Sequence, residues 1–201
     1  LYLRLADEDG RPLELRDDGR LAPFDPAPGR RVLELLRGPY VRRWQFAPTP
    51  RPWSDRAAFV TLDGGQLRAI EEEAARAPLS AASDQPVVDF AAHFPEGQRT
   101  DVAGYALRVI RCDAPRKVRL WTGSDDALRV WVNGRLVAQV LKLRGVRLDS
   151  ESTEIELAAG ENRLLVEVSQ GGGDWGLALR IENEDGQDLE LTADGRLVPF
   201  G

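Results

Sequence analysis

Side chains suited to catalysis are scarce in this 201-residue chain, which has one histidine, His93, and one cysteine, Cys112. His93 lies in FAAHFPEG, between apolar neighbours and a turn, with no nucleophile elbow or comparable context beside it, and it reads as structural. Cys112 has no disulfide partner and reads as a small strand residue. One His and one Cys cannot complete a zinc site without two carboxylates. The 33 acidic residues make carboxylate pairs common, so a glycosidase pair has no specific support. The chain is therefore expected not to be an enzyme.

Its aromatic and cationic residues suit binding better. Successive residues on a strand face opposite ways. In LRVWV, Leu128, Val130 and Val132 share one face, and Arg129 and Trp131 share the other. In VRLW, Val118 and Leu120 oppose Arg119 and Trp121. The two strands are expected to bring Trp and Arg together on the face opposite the aliphatic one, with Asn133 just beyond. There an indole can stack on a sugar ring while Arg or Asn binds hydroxyls. The alternative is that a helix or the Pro-rich loop covers that face and turns both tryptophans into a second layer of core. Trp175, in phase with Leu177, Leu179 and Ile181, belongs to the main core, and Trp44 and Trp53 read as structural.

The elements that must position these residues are mostly strands. From Val87 onward, short alternating runs are separated by Gly, Asn and Asp, among them GYALRVIRC, KVRLWTG, ALRVWVNGRLVAQV, STEIELAAG, NRLLVEVSQ and WGLALRIEN. VVDFAAHF, RVLELL and YVRRWQF also read as strands. Many short strands at regular spacing predict an all-β fold, an antiparallel β-sandwich or jelly roll. The VNGR stretch predicts an Asn-Gly hairpin turn. One short helix is expected in GQLRAIEEEAARA (65–77), with Leu67, Ile70 and Ala74 or Ala75 at helical spacing and Pro78 beyond it.

The chain also repeats itself. Residues 1–24 and 177–200 agree at 15 of 24 positions without a gap, at a constant offset of 176. That offset is long for a solenoid repeat and normal for a domain. The expected organisation is a C-terminal hairpin of a preceding repeat (1–24), a Pro/Gly linker DPAPGR (25–30) and a complete sandwich module (31–201). The absence of Met and the match of Leu1 to the interior of WGLALRI suggest a piece of a longer polypeptide. Leu1, Leu3, Leu5, Leu13 and Leu15 would form an apolar strand face. An isolated hairpin is marginal in water, so this face needs a neighbouring module, covalent or in another subunit, giving a head-to-tail fibre or stalk.

The runs GSDDALRVWVNGRLV (123–137) and LAAGENRLLVEVSQGGGDWGLALRI (157–181) resemble a β-sandwich module of secreted and surface bacterial proteins. The shared pattern is Ser-Asp-Asp, a Val-Trp-Val-Asn-Gly hairpin, Gly-x-Asn and Gly-Gly-x-Trp-Gly. It is similar to galactose-binding-like and protective-antigen-type domains, and to the sugar-binding sandwich appended to many glycoside hydrolases. The match covers roughly 86–191, with Tyr40–Trp53 fitting more loosely; the helix is not part of the pattern. The resemblance implies an extracellular or cell-surface location. It also implies that Asp125 and Asp126 can hold a calcium ion, although two carboxylates only begin a set of six to eight oxygens. In the other reading, both aspartates accept backbone N–H bonds at a strand entry.

A net charge of −6 argues against nucleic acid, and no apolar run approaches the ~20 residues of a membrane-spanning helix. Three classes remain. The first is a non-catalytic structural or adhesive repeat module whose partners are further copies of itself. The second is a carbohydrate-binding module taking polysaccharide at Trp121, Trp131, Arg119, Arg129 and Asn133. The third is an accessory domain of a secreted glycan-active enzyme. Repetition favours the first.

Overall fold

The computed structural model describes residues 13–15, 21–23, 39–53, 62–81 and 85–200. The chain divides into two compact units, Leu1–Leu36 and Arg37–Gly201. In the first, Leu13–Leu15 (β1) runs antiparallel to Leu21–Pro23 (β2), with Leu13 opposite Pro23, Glu14 opposite Ala22 and Leu15 opposite Leu21. Leu1, Leu3 and Leu5, the linker 25–30 and the expected strand RVLELL lie outside the described residues.

The second unit is an all-β sandwich with one α-helix. Its strands are Gln45–Phe46 (β3), Arg51–Pro52 (β4), Val88–Asp89 (β5), Val102–Cys112 (β6), Arg116–Asp125 (β7), Leu128–Val132 (β8), Arg135–Val140 (β9), Glu151–Leu157 (β10), Gly160–Gln170 (β11), Gly176–Asn183 (β12), Asp188–Leu191 (β13) and Leu197–Pro199 (β14). Sheet I has the order β10-β7-β12-β13-β14, with β5 also on β12. Sheet II has the order β3-β6-β11-β8-β9, with β4 also on β6. All of these strand pairs are antiparallel.

Alternation explains the layers. Val118, Leu120, Leu177, Leu179, Ile181 and Leu189 of sheet I meet Ala106, Ile110, Leu128, Val130, Leu164, Val166 and Val168 of sheet II in one buried cluster. Trp175 is 2% exposed in that cluster, donates from Nε1 to Val168 O at 3.1 Å and stacks on Phe94. Gly104 is small because the Trp175 ring lies there: a Cβ would meet Cζ2 at 2.5 Å. Asn162, fully buried, accepts from Ala158 N, donates to Ala158 O and receives Asn133 Nδ2, tying two turns together.

The helix Gly64–Arg76 (α1) forms where its spacing predicts. Asp63 caps it, accepting from Gly65 N and Gln66 N while its own N–H donates to the Gln66 side chain. Leu67, Ile70 and Ala74 are buried against the outer face of sheet II, in a second cluster with Ala47, Ala103, Tyr105, Leu107, Trp131 and Leu165. Two expected strands are shorter than their sequences suggest. VVDFAAHF is strand only at β5, because Asp89 Oδ1 accepts from Ala91 N and turns the chain into a 3₁₀ segment, Ala91–His93. YVRRWQF is strand only at β3, where the Trp44 indole folds back to donate to Val41 O.

Candidate functional site

The Trp/Arg pairs do not share a face, which corrects the sequence expectation. Trp121 and Arg119 lie on β7 in sheet I, whereas Trp131 and Arg129 lie on β8 in sheet II. Each pair faces away from the core, and the two faces are on opposite sides of the sandwich. Local alternation fixes a residue's face but not which sheet its strand joins.

On sheet II, α1 covers the face. Trp131 is 6% exposed and packs with Leu67, Ile70 and Leu165. Beside it, cross-strand register sets Tyr105, Glu167, Arg129 and Gln139 in one row over β6, β11, β8 and β9. Tyr105 Oη donates to Glu167 Oε2 at 2.8 Å, Arg129 Nη1 to Glu167 Oε1 at 3.1 Å and Arg129 Nε to Gln139 Oε1 at 3.4 Å. Burial pushes the Glu167 carboxyl up, against the opposing pull of Arg129 and Tyr105. Trp131 and Arg129 are thus interior residues.

On sheet I, Trp121 is half-buried and its ring carries the Arg180 guanidinium at 4.9 Å. Trp121 Nε1 donates to Glu182. Arg180 in turn donates to Asp149 Oδ2 at 3.0 Å and Asp188 Oδ1 at 2.6 Å, while Arg119 donates to Glu154 at 2.7 Å. The indole face is occupied by Arg180 rather than presented as a bare platform. Farther along β7, the backbone of Arg147 lies on Gly123, where a Cβ would sit 1.8 Å from Arg147 O.

Asp125 ends β7 and is joined to Asp126 by a cis peptide bond. Asp126 accepts from Arg144 N at 2.8 Å and Gly171 N at 2.9 Å, one bond per carboxylate oxygen. Asp125 accepts a backbone bond from Val146; burial first, then Asp126 and Asp174, pushes its carboxyl up to about 6. This is the geometry of the backbone-capping reading. Among the described residues, no group of three or more His, Cys, Asp or Glu is arranged to hold a metal ion. His93 stacks on Phe46 at 3.8 Å, and burial lowers its pKa. Cys112 is buried in the core cluster.

Asn133 has a structural task and borders something the sequence reading passed over. It sits at φ 51°, accepts from Arg163 N through Oδ1 and donates to Asn162 through Nδ2, locking the β8–β9 turn. Between that turn and the first turns of α1 lies a groove of about 600 Å³, lined by Gly64, Leu67, Arg68, Glu71, Asn133, Gly134, Glu161 and Arg163. Glu71 is 7% exposed in its wall. The signal was present: Glu71 follows Leu67 by four residues and precedes Ala74 by three, which puts it on the apolar stripe.

No protein-family model and no curated protein matches the chain. Similar solved structures include an anti-sigma factor domain-containing protein at 18% identity, TM-score 0.43, with 58% of this chain and 42% of that one covered. The PA14 domain of the MpAFP antifreeze protein is similar at 13% identity, TM-score 0.43, covering 80% of this chain and 73% of that one. The PA14 sugar-binding domain from an RTX adhesin is similar at 13% identity, TM-score 0.40, covering 80% and 75%. The chain spans less than half the length of the first and about three quarters of the other two.

Proposed function

We propose that this chain is a non-catalytic structural or adhesive module of an extracellular or cell-surface protein in which the same sandwich recurs. One observation carries the reading. In the Arg37–Gly201 unit, β13 and β14 pair Leu189 with Pro199, Glu190 with Val198 and Leu191 with Leu197. Subtracting 176 from each number gives the β1–β2 pairs Leu13–Pro23, Glu14–Ala22 and Leu15–Leu21.

Side-chain demands at 177–200 support the same equivalence. Leu177, Leu179 and Leu189 are core residues, matched in sequence by Leu1, Leu3 and Leu13. Gly195, at φ +90° and without room for a Cβ against Val109 O, is matched by Gly19. Arg180 is matched by Arg4. Two buried positions differ: Ile181 is matched by the similar Leu5, and Ala178, 1% exposed, stands where residues 1–24 have the much larger Tyr2. Leu1, Leu3, Leu5, Leu13 and Leu15 would therefore complete a neighbouring sandwich with a different outer layer, in the same polypeptide or in another subunit.

A chimera tests this. In the full chain, residues 177–200 are given the sequence of 1–24. The expected outcome is a folded sandwich with a lowered Tm, most of the loss being restored by returning Ala at position 178; overpacking of this kind costs about 1–3 kcal/mol. A chimera that stays unfolded with Ala178 restored would show that the two segments are not equivalent.

A further inference from the structure

We propose that the open side of the sandwich, where β9 and β10 lie next to each other, is a two-fold interface with a second copy of the chain, β9 of each copy pairing with β10 of the other. An edge strand presents unpaired N–H and C=O groups, which charges, Pro or shortness normally guard. β3, β4 and β5 have two residues each, and β14 has three, one of them Pro199. β10 carries Glu151, Glu154 and Glu156 along seven residues. β9 lacks such guards: it has six residues with no Pro and no acid, and Leu136–Leu141 is an uncharged run. Among the described residues, β9 pairs with β8 alone and β10 with β7 alone. Leu136 is 43% exposed. Of the five exposed large apolar residues among those described, Leu136, Leu141, Leu143 and Leu148 fall on β9 or on the segment joining it to β10.

Charge and symmetry choose the partner. The two edges flank a groove of about 730 Å³ whose lining includes Val132, Leu136 and Ile155 with Arg135 and Glu156. The one charge on β9 is positive and Lys142 follows it, whereas β10 has three carboxylates. Glu151 and Glu154 pair within the chain, with Arg144 and Arg119; Arg135 and Glu156 form no ion pair among the described residues. Two copies can join these edges by a two-fold axis in two ways. An axis normal to the sheets sets β9 against β9 and β10 against β10, which brings like charges together. An axis parallel to the strands sets β9 against β10 twice. β9 and β11 both run antiparallel to β8, and β10 turns back into β11 at Ala158–Ala159, so β9 and β10 run in opposite directions. Both new pairings are then antiparallel. Rotation about this axis keeps each residue's height along the strands. Arg135 and Glu156 line the same groove, so Arg135 meets Glu156 of the partner copy. Sheet II of one copy continues into sheet I of the other, and Leu136 is covered. No residue of 1–24 takes part, so the inference stands whether or not the module recurs.

The test is small-angle X-ray scattering of the full chain over a concentration series, which gives the monomer–dimer equilibrium. A dimer with Kd below the millimolar range is expected. Arg135→Glu and Glu156→Arg are each expected to weaken it about tenfold or more, because one substitution creates two like-charge contacts in a two-fold dimer. Both side chains are exposed, so Tm is expected to hold. The chain carrying Arg135→Glu and Glu156→Arg together has opposite charges again at both contacts and is expected to recover most of the parent affinity. The proposal is overturned if the parent chain is monomeric at millimolar concentration, if either single substitution leaves the dimer as tight, or if the double substitution fails to restore it. Association that ignores all three variants, as pairing through residues 1–24 would, overturns it too.

Discussion

The two outer faces of the sandwich begin from the same strand pattern and end differently. Both β7 and β8 alternate an aliphatic side with a Trp/Arg side. On β8 that side is interior: Trp131 joins a second core with α1, and Arg129 is a buried ion-pair partner of Glu167. On β7 it stays half open: Trp121 lies under Arg180, and Arg119 pairs with Glu154, whose side chain is 76% exposed. Strand chemistry alone therefore does not make a face a binding surface or a core. The element delivered from elsewhere in the chain does, here a 13-residue helix.

Removing one partner of a buried pair breaks this comparison most strongly. Glu167→Ala leaves the Arg129 guanidinium buried without its anion and the Tyr105 hydroxyl without its acceptor. A loss of about 3–5 kcal/mol is expected, read from the urea unfolding midpoint. A loss below about 1 kcal/mol would mean that the helix-covered face admits water and that the contrast between the faces is small.

Trp121→Ala gives the next effect in size. The ring is half-buried and its contacts are with Arg180 and Glu182, both of which keep other partners, Asp149 and Asp188 among them. A cost of about 1–2 kcal/mol is expected, against the roughly 3–5 kcal/mol typical of truncating an interior Trp such as Trp131. Equal costs at the two positions would place both indoles in equivalent layers.

Much of this was legible locally. Alternation sorted Leu177, Leu179, Ile181 and Trp175 into the core, and the 3.6-residue spacing found α1 with Leu67 and Ile70 inward, leaving the structure to choose Ala74 over Ala75. What local pattern does not carry is strand partnership. β7 pairs with β10 and β12, and β8 with β11, all chosen by distant sequence, so Trp121 and Trp131 separate although only nine residues lie between them. The buried acids were half legible. Glu71 lies on the helix's apolar stripe, whereas Glu167 looks like an ordinary outward strand residue until Tyr105 and Arg129 arrive from two other strands.

The smallest expected effect concerns the acid at the end of the open face. Asp125 follows Trp121 and Gly123 on the same side of β7, and Gly145 lies beside it: a Cβ there would be 3.9 Å from Asp125 Oδ2. Burial, then Asp126 and Asp174, raises its carboxyl from 3.8 to about 6; a backbone bond from Val146 opposes this, where Arg129 opposes the shift of Glu167. Between those two values the folded chain holds more protons than the unfolded one. Stability from this group therefore falls as pH rises from about 4 to about 6, and the penalty is complete above that. Because the side chain is partly exposed, solvent screening reduces the expected penalty to about 1 kcal/mol. Asp125→Asn should match the parent chain near the lower end of this window and exceed it in urea midpoint at neutral pH. Other acids titrate in the same range, so the difference between the two chains is the readout, and parallel curves would refute the assignment. Repeating the series with calcium chloride tests a cation at the Asp125–Asp126 pair, because a bound divalent ion favours the charged carboxylate and would flatten the pH slope of the parent chain alone.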